Sequence, residues 1–406
     1  MEKEVVRHTY ISCLSVGRDR THTVKIITGV RRCGKSTLMK QYARALVDSG
    51  VDEGRVILIN FESMEYGHIR TYGDLVNQID GMVPRNERSY ILLDELQRIP
   101  EWERAVNALM VDFDVDIYIT GSNAHLLSSE LATYMSGRYV QIRMLPLSFR
   151  EYLDMHPADA ENNVESRFHD YVWKGSLPMV DPSADETFVH DQLKGVFDTV
   201  LVRDVLTHTD AKDSRTLINV ARFVMSNIGC VTSSNNIAKT YLADEHGEVN
   251  NKTVGRYLQA LEEAYVIYKA ERYDIRGKKL LQTLEKYYVA DTGMRNAVVG
   301  ISSKEDDSRQ IENIVYLELI RRGYEVAVGK YGDREVDFTA RKGAETEYYQ
   351  VTKTMIDECT YDREVSSLSE IRDSYSKTVL SMDSFVYNVP GGIKHKNVIK
   401  WLLEGQ

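Results

Sequence analysis

The sequence predicts an α/β chain: a parallel sheet with helices on both faces, then a winged helix-turn-helix, then a second α/β domain. Three observations point there. Through residues 1–150, apolar strand-like runs alternate with helix-patterned segments, the rhythm of a parallel sheet. Through 211–300, three short helical segments precede two strands, and through 301–406 a helix leads into consecutive strands. Residues 151–210 read as a helical lid or linker; within it 188–205 carries Leu193, Val196, Phe197, Val200 and Leu201 on one face.

The first strand, 24–28, runs into Gly29-Val-Arg-Arg-Cys-Gly34-Lys35-Ser36-Thr37, and a helix-forming segment over 38–46 follows. This G-x-x-x-x-G-K-S spacing between strand and helix is a phosphate-binding loop. Its glycines let backbone N–H groups turn toward an anion, and the helix N-terminus adds its positive dipole end. Gly29, Arg31, Arg32, Gly34, Lys35, Ser36 and Thr37 are therefore the candidate nucleotide contacts. Lys35 has the reach for the β- and γ-phosphates, and the Ser36 hydroxyl suits Mg2+. A chance glycine turn is the bland alternative.

Two later strands extend the reading. Tyr90-Ile-Leu-Leu-Asp94-Glu95 is apolar and ends in two acids, with Asp94 placed to hold Mg2+ and Glu95 to polarise a water. Solvated acids at a strand end are its alternative, much weakened downstream of a phosphate loop. Asp116-Ile-Tyr-Ile-Thr-Gly-Ser-Asn123 ends in Ser122 and Asn123, where ligands of parallel sheets gather, although both residues also suit a turn and helix cap. Strands at 55–61 and 138–145 complete the unit before Pro146.

Composition bounds the rest. A chain of 406 residues exceeds one ordinary core, and 43% hydrophobic with 28% charged residues is globular usage. The net charge of −10 argues against a generally basic nucleic-acid coat, leaving room for a local patch. No apolar run is long enough for a membrane helix, and the N-terminus lacks a signal core. Four scattered cysteines without C-x-x-C spacing suggest a reduced compartment and no zinc site. A cytoplasmic location is expected.

The motifs Gly29-Val-Arg-Arg-Cys-Gly-Lys-Ser-Thr, Leu92-Leu-Asp-Glu-Leu-Gln97, Thr120-Gly-Ser-Asn123, Ser136-Gly-Arg138 and Leu145-Pro-Leu-Ser-Phe149 occur in that order. Together with Gly175-Ser-Leu-Pro178 and Lys286-Tyr-Tyr-Val-Ala-Asp-Thr-Gly293, they resemble a prokaryotic AAA+ ATPase family with a C-terminal domain of unknown function. One departure is Ser176, where Gly-Gly is expected. The resemblance implies ATP and Mg2+ as ligands, hydrolysis, and a nucleotide-gated switch. It also implies Asn123 as a sensor and Arg138 as an arginine acting in a neighbouring subunit's site, hence a homo-oligomer. An ordinary surface arginine at a strand start is the equal alternative for Arg138.

In the middle, helices over 217–228, 236–244 (capped by Ser233 or Ser234) and 251–265 precede strands at 266–273 and 286–290, flanking the basic loop Arg276-Gly-Lys-Lys279. As a DNA reader, this winged helix would offer Lys252 and Arg256 to the major groove and Lys278 and Lys279 to phosphate. Glu262 and Glu263 dilute that face, and a lid or oligomer contact is the bland reading.

The C-terminal order resembles the restriction-endonuclease-like fold, whose site needs two carboxylates for Mg2+ and a nearby lysine. Here Glu318 and Asp337 are present, but Gln350 replaces the second strand acid. Thr352 replaces the lysine, and Lys353 is displaced by one residue, onto the opposite strand face. The expectation is a catalytically degenerate domain. The function expected overall is an Mg2+-dependent ATPase acting on a DNA or protein partner. A slow ATP-dependent DNA-binding or regulatory switch, and an ATP-gated nuclease, are the alternatives.

Overall fold

The computed structural model describes residues 4–85, 87–124, 135, 137–157, 163–206, 214–242, 250–300 and 304–404. They form two compact units, Met1–Pro146 with Glu263–Tyr265, and Leu147–Glu262 with Val266–Gln406.

The first unit contains α1 (His8–Val16), β1 (Val24–Thr28), α2 (Lys35–Asp48), β2 (Val56–Asn60), α3 (Tyr72–Asp80), β3 (Ser89–Asp94), α4 (Trp102–Asp112), β4 (Val115–Gly121) and β5 (Tyr139–Arg143). The strands lie in the order β2-β3-β4-β1-β5, every pairing parallel. All residues of β1, β3 and β4 are buried, which requires cover on both faces. Alternation along β4 shows that cover. Ile117 and Ile119 join the cluster containing Leu75 and Ile79 of α3 and Val106 and Leu109 of α4. Tyr118, pointing the other way, meets Tyr42 of α2 with ring centroids 4.9 Å apart. The parallel α/β expectation for this part of the chain therefore holds. A buried pair, Lys25 with Asp116, lies beneath Tyr118, whose hydroxyl donates to Asp116 Oδ2 at 2.9 Å.

The second unit holds α5 (Phe149–Met155), α6 (Val164–Lys174), α7 (Glu186–Val200), α8 (Ser214–Ser226), β6 (Val231–Thr232) and α9 (Asn251–Glu263). The chain continues through β7 (Ile267–Asp274), β8 (Lys279–Val289), α10 (Thr292–Val299), α11 (Lys304–Arg321), β9 (Glu325–Tyr331), β10 (Arg334–Lys342), β11 (Glu345–Val351), α12 (Glu358–Ser369), β12 (Ser376–Ser381), β13 (Lys394–Asn397) and α13 (Val398–Leu403). Its eight strands form one sheet, β13-β12-β11-β10-β9-β7-β8-β6.

Two differences from the sequence reading concern this sheet. The strands expected as a wing are β7 and β8, and they do not stand apart. β7 pairs in parallel with β9 through Arg272↔Val328, so the sheet runs across residue 300, where a boundary is expected. A hairpin edge carries unpaired backbone groups, and β9 satisfies them. Second, β8 begins at Lys279 rather than 286, which shortens the basic loop to a tight turn held by Arg276 N–H donating to Asp274 Oδ1 at 3.1 Å. The expected helix over 236–244 is a short turn, Ser234–Asn236, capped by Ser233, followed by a wider-wound turn at Ile237–Leu242; residues 243–244 lie outside the described ones.

Two sequence motifs meet as a buried lock. Asp291 caps α10 by accepting the Met294 N–H at 2.7 Å, and its other oxygen accepts Ser176 N–H at 2.6 Å and Ser176 Oγ–H at 3.0 Å. Gly175 has φ +85°, and a Cβ there would lie 2.3 Å from Asp291 Oδ1. A Cβ on Gly293 would lie 2.2 Å from the Lys174 carbonyl oxygen. Ser176, the departure from Gly-Gly, thus adds a hydroxyl donor to a carboxylate that burial pushes above the usual range.

At the sheet's far edge, His395 is buried. Its Nδ1 accepts Tyr387 N–H at 3.0 Å, so Nε2 carries the proton and donates to Ser381 Oγ at 2.8 Å. Ser381 in turn donates to Asp383 at 2.8 Å, so the imidazole is a donor here and not a base for the serine. Burial lowers the His395 pKa, partly opposed by Asp383. The unfolded chain, titrating near 6.5, then binds more protons than the folded one, so stability is full above that pH and is lost as pH falls through the folded value. The urea midpoint of the wild type should drop between pH 7.5 and pH 5 by more than that of His395→Gln; equal drops would contradict this assignment.

Candidate functional site

The loop between β1 and α2 is shaped by close backbone packing. Met144 N–H donates to Thr28 O at 2.7 Å, and a Cβ on Gly29 would sit 2.1 Å from the Met144 carbonyl oxygen. Only glycine fits there. Gly34, at φ +103°, caps α2 and has no side chain with which to satisfy the first-turn amides, so these face outward at the positive end of a 14-residue helix. Lys35 is buried, and its Nζ donates to the loop's own carbonyls, Gly29 O at 2.9 Å and Val30 O at 3.3 Å. Ser36 and Thr37 are half-buried in the first turn. Arg31 lies 3.7 Å from Glu62, which Arg98 also holds at 2.6 Å, whereas Arg32 is exposed.

The ends of β1 and β3 lie at one edge because the sheet is parallel, with β4 between them. Asp94 is buried at the end of β3, and Thr120 Oγ–H donates to it at 2.5 Å. The same hydroxyl oxygen accepts Glu95 N–H at 3.0 Å. Glu95 is half-buried, adopts φ +59°, and accepts a bond from Gln97 at 2.6 Å. Ser122 and Asn123 are both buried one turn beyond Thr120. Arg138 is half-buried and donates to Met135 O at 3.2 Å and Asn107 Oδ1 at 2.8 Å within its own unit.

Comparison with known proteins gives the family of this part of the chain. Residues 21–153 match the family described as "AAA domain", and residues 165–305 match a "Domain of unknown function (DUF8612)". An uncharacterized protein of Haemophilus influenzae is 39% identical over the full length of both chains. The chain belongs with it to one AAA-type P-loop family. A second relative, from Methanocaldococcus jannaschii, is 26% identical over 88% of this chain and 78% of its own. Among solved structures, a DNA polymerase III gamma subunit-related protein of Thermotoga maritima covers 63% of this chain and 99% of its own at 11% identity and TM-score 0.30. AMPPCP-bound DnaA from Aquifex aeolicus covers 64% of this chain and 90% of its own at 15% identity and TM-score 0.30. Superpositions this loose do not bear on the fold.

Outside the AAA domain, the remaining candidates separate. Lys252 and Arg256 on α9, and Lys278 and Lys279 at the β7–β8 turn, are all exposed. Of the degenerate nuclease set, Asp337 and Gln350 come together: Asp337 N–H donates to Gln350 Oε1 at 3.2 Å. Glu318 accepts from Arg321 at 3.1 Å and Arg322 at 2.8 Å. Lys353 pairs instead with Asp307 at 2.6 Å. Asp337 lies 3.9 Å from Lys286, whose ammonium also meets Glu312 and Glu335, and Glu312 and buried Glu364 act on its charge; the nuclease-like pattern marks none of the four. No helix among the described residues is long and apolar enough to cross a membrane.

Two residues of the first unit escape sequence reasoning. Thr120 lies beside Asp94 on the neighbouring strand, next to the Leu93↔Ile119 pair, and only the strand order brings it there. Arg7 is buried, donating to Cys33 O in the loop at 3.3 Å and to Leu145 O at 2.9 Å, and nothing around it in the sequence marks it. Replacing Thr120 by valine would leave a buried carboxylate and a backbone amide each without that partner, a loss of about 1–3 kcal/mol. Urea unfolding should show it for Thr120→Val, with Thr120→Ser near wild type. Equal stability of all three proteins would contradict the bridging role.

Proposed function

We propose that the chain is an Mg2+-dependent ATPase of the AAA type that uses nucleotide-driven rearrangement on a DNA or protein partner. The observation that supports it most is the shared sheet edge. There the β1–α2 loop, with uncapped helix amides and Lys35, lies on the same side as buried Asp94 and the turned Glu95. The residues fit the ligands. Among the described residues Lys35 is held by two neutral carbonyls, bonds that phosphate oxygens can replace. Among the described residues Asp94 has no ion pair, so its charge is open to a cation.

In this reading Gly29, Arg31, Arg32, Gly34, Lys35, Ser36 and Thr37 hold the phosphates, with Lys35 on the β- and γ-phosphates. Ser36 and Asp94 hold Mg2+, which when bound supplies positive charge against the developing phosphate charge. Glu95 orients and polarises the attacking water, and Asn123 senses the γ-phosphate. The αL backbone at Glu95 turns its side chain away from the strand axis. The Thr120 bond to its amide fixes that turn. The basic residues Lys252, Arg256, Lys278 and Lys279 are exposed, which supports DNA as the partner.

The test is ATP binding and phosphate release by the full chain. Lys35→Ala should lose ATP binding. Glu95→Gln should keep binding and lose turnover by about 10²–10⁴-fold. Unchanged turnover in Glu95→Gln would remove the ATPase assignment. Duplex DNA should raise the wild-type rate, and a rate indifferent to DNA would favour a protein partner.

Arg138 acts in trans in this proposal, its guanidinium reaching a neighbouring subunit's phosphate loop. Arg138→Ala and Lys35→Ala should each be inactive alone, Arg138→Ala on the order of 10³-fold slower. Their mixture should recover activity, because the Lys35 variant supplies its arginine to the other's intact loop. A mixture as inactive as its components, or an Arg138→Ala protein at full rate, would rule out that role.

A further inference from the structure

The restriction-endonuclease-like pattern implies a divalent cation on the second unit, and the residues actually gathered there do not fit one. Asp337 lies at an irregularity of β10, where its register against β9 shifts between Val336 and Thr339. Its partner position on β11 is Gln350, a neutral amide that accepts the Asp337 N–H. Asp337 Oδ2 is taken by Val351 N–H at 2.8 Å. Into the same cluster come Glu312 from α11, Glu335 from β10 and Lys286 from β8. Lys286 Nζ lies 2.9 Å from Glu335, 3.1 Å from Glu312 and 3.9 Å from Asp337. The Tyr288 hydroxyl donates to Glu312 at 2.6 Å. With these acids drawn around Lys286, no group of three His, Cys, Asp or Glu among the described residues is arranged to hold a metal ion.

We propose that Lys286 is a built-in cation: its ammonium occupies the centre of the Glu312, Glu335 and Asp337 cluster and excludes a divalent metal from it. Charge and geometry argue for this together. The side chain of Lys286 is only 4% exposed, so a lone ammonium there would be strongly disfavoured. Burial opposes its charge, yet Glu312, Asp337 and Glu335 outweigh burial and hold it above the usual lysine range. Burial, Glu312 and Glu364 push Asp337 above the usual carboxylate range, and Lys286 pulls it back, so the two groups hold each other's charge. Glu335 and Glu312 lie within hydrogen-bond distance of the ammonium, and Asp337, at 3.9 Å, adds its charge from farther off.

The cluster therefore serves cohesion of the sheet, tying β8, β10 and α11 through one charge. This inference is independent of the ATPase reading, since no residue of the phosphate loop enters it.

The experiment follows unfolding of the full chain, free of nucleotide, with and without MnCl2. In wild type, Mn2+ should leave the melting temperature unchanged. In Lys286→Ala the emptied carboxylate cluster should take Mn2+, raising the melting temperature by about 5 °C or more. Recovery of a folded state by Mn2+, if Lys286→Ala is unfolded in chelator, is the same supporting result. The gain should vanish in Lys286→Ala/Asp337→Asn, which separates this site from any other. Three results would overturn the proposal: a Lys286→Ala protein that Mn2+ neither stabilises nor restores, a gain that persists in the double variant, and a wild-type Mn2+ response abolished by Asp337→Asn.

Discussion

A charge taken out of water must find a partner in the fold or forfeit several kcal/mol, and most of the organisation described above is traceable to that constraint. Lys25 and Asp116 are buried as a pair beneath the first sheet, and Tyr118 and Tyr42 are arranged around them. Asp291 is buried without a cation and is held by backbone amides and a serine, which is why Gly175 and Gly293 must be bare at the places where α6 and α10 meet. Lys286 is buried among acids. Each arrangement fixes elements far apart in sequence, so the folds of both units inherit their register from these solutions.

This explains which parts of the structure were legible in the amino-acid sequence. The first sheet was, because its strands are continuous apolar runs and its ligand loop is contiguous: Gly29, Gly34 and Lys35 need only each other and the helix they precede. The pairing of Thr120 with Asp94 was not, because it depends on β3 and β4 being neighbours. Arg7 is beyond local inference for the same reason, reaching Leu145 across most of the unit. Local chemistry is visible in sequence, and cross-strand chemistry is visible only in topology.

The second unit shows the limit more sharply. A helix set followed by two strands reads as a small independent module. Yet β7 uses its free edge to join β9, and the strands around it become part of an eight-stranded sheet. Propensity and periodicity describe each strand correctly but are silent on which edge finds which partner. The acid pattern failed in a related way. Glu318 has the spacing and the helix, but Arg321 at the helix end and Arg322 just past it take its carboxylate locally, three and four residues on. Glu312 lies six residues earlier, on another face, and reaches β8 instead.

Asp94 and Asp337 show how similar sequence signals part company once partners are known. Each is a buried strand aspartate that sequence reasoning singles out, Asp94 for Mg2+ and Asp337 for a catalytically degenerate nuclease-like site. At Asp94 the partner is a neutral hydroxyl, which stabilises the carboxylate without cancelling its charge. The attraction for a cation therefore survives, directed at the edge where the phosphate loop opens. At Asp337 the partners are an amide, a backbone N–H and, through its neighbours, an ammonium already in place. The first arrangement leaves a negative charge to be met by a ligand; the second has met it within the chain. Chemistry at the first sheet and cohesion at the second follow from that single difference in which side chain the topology delivers to the acid.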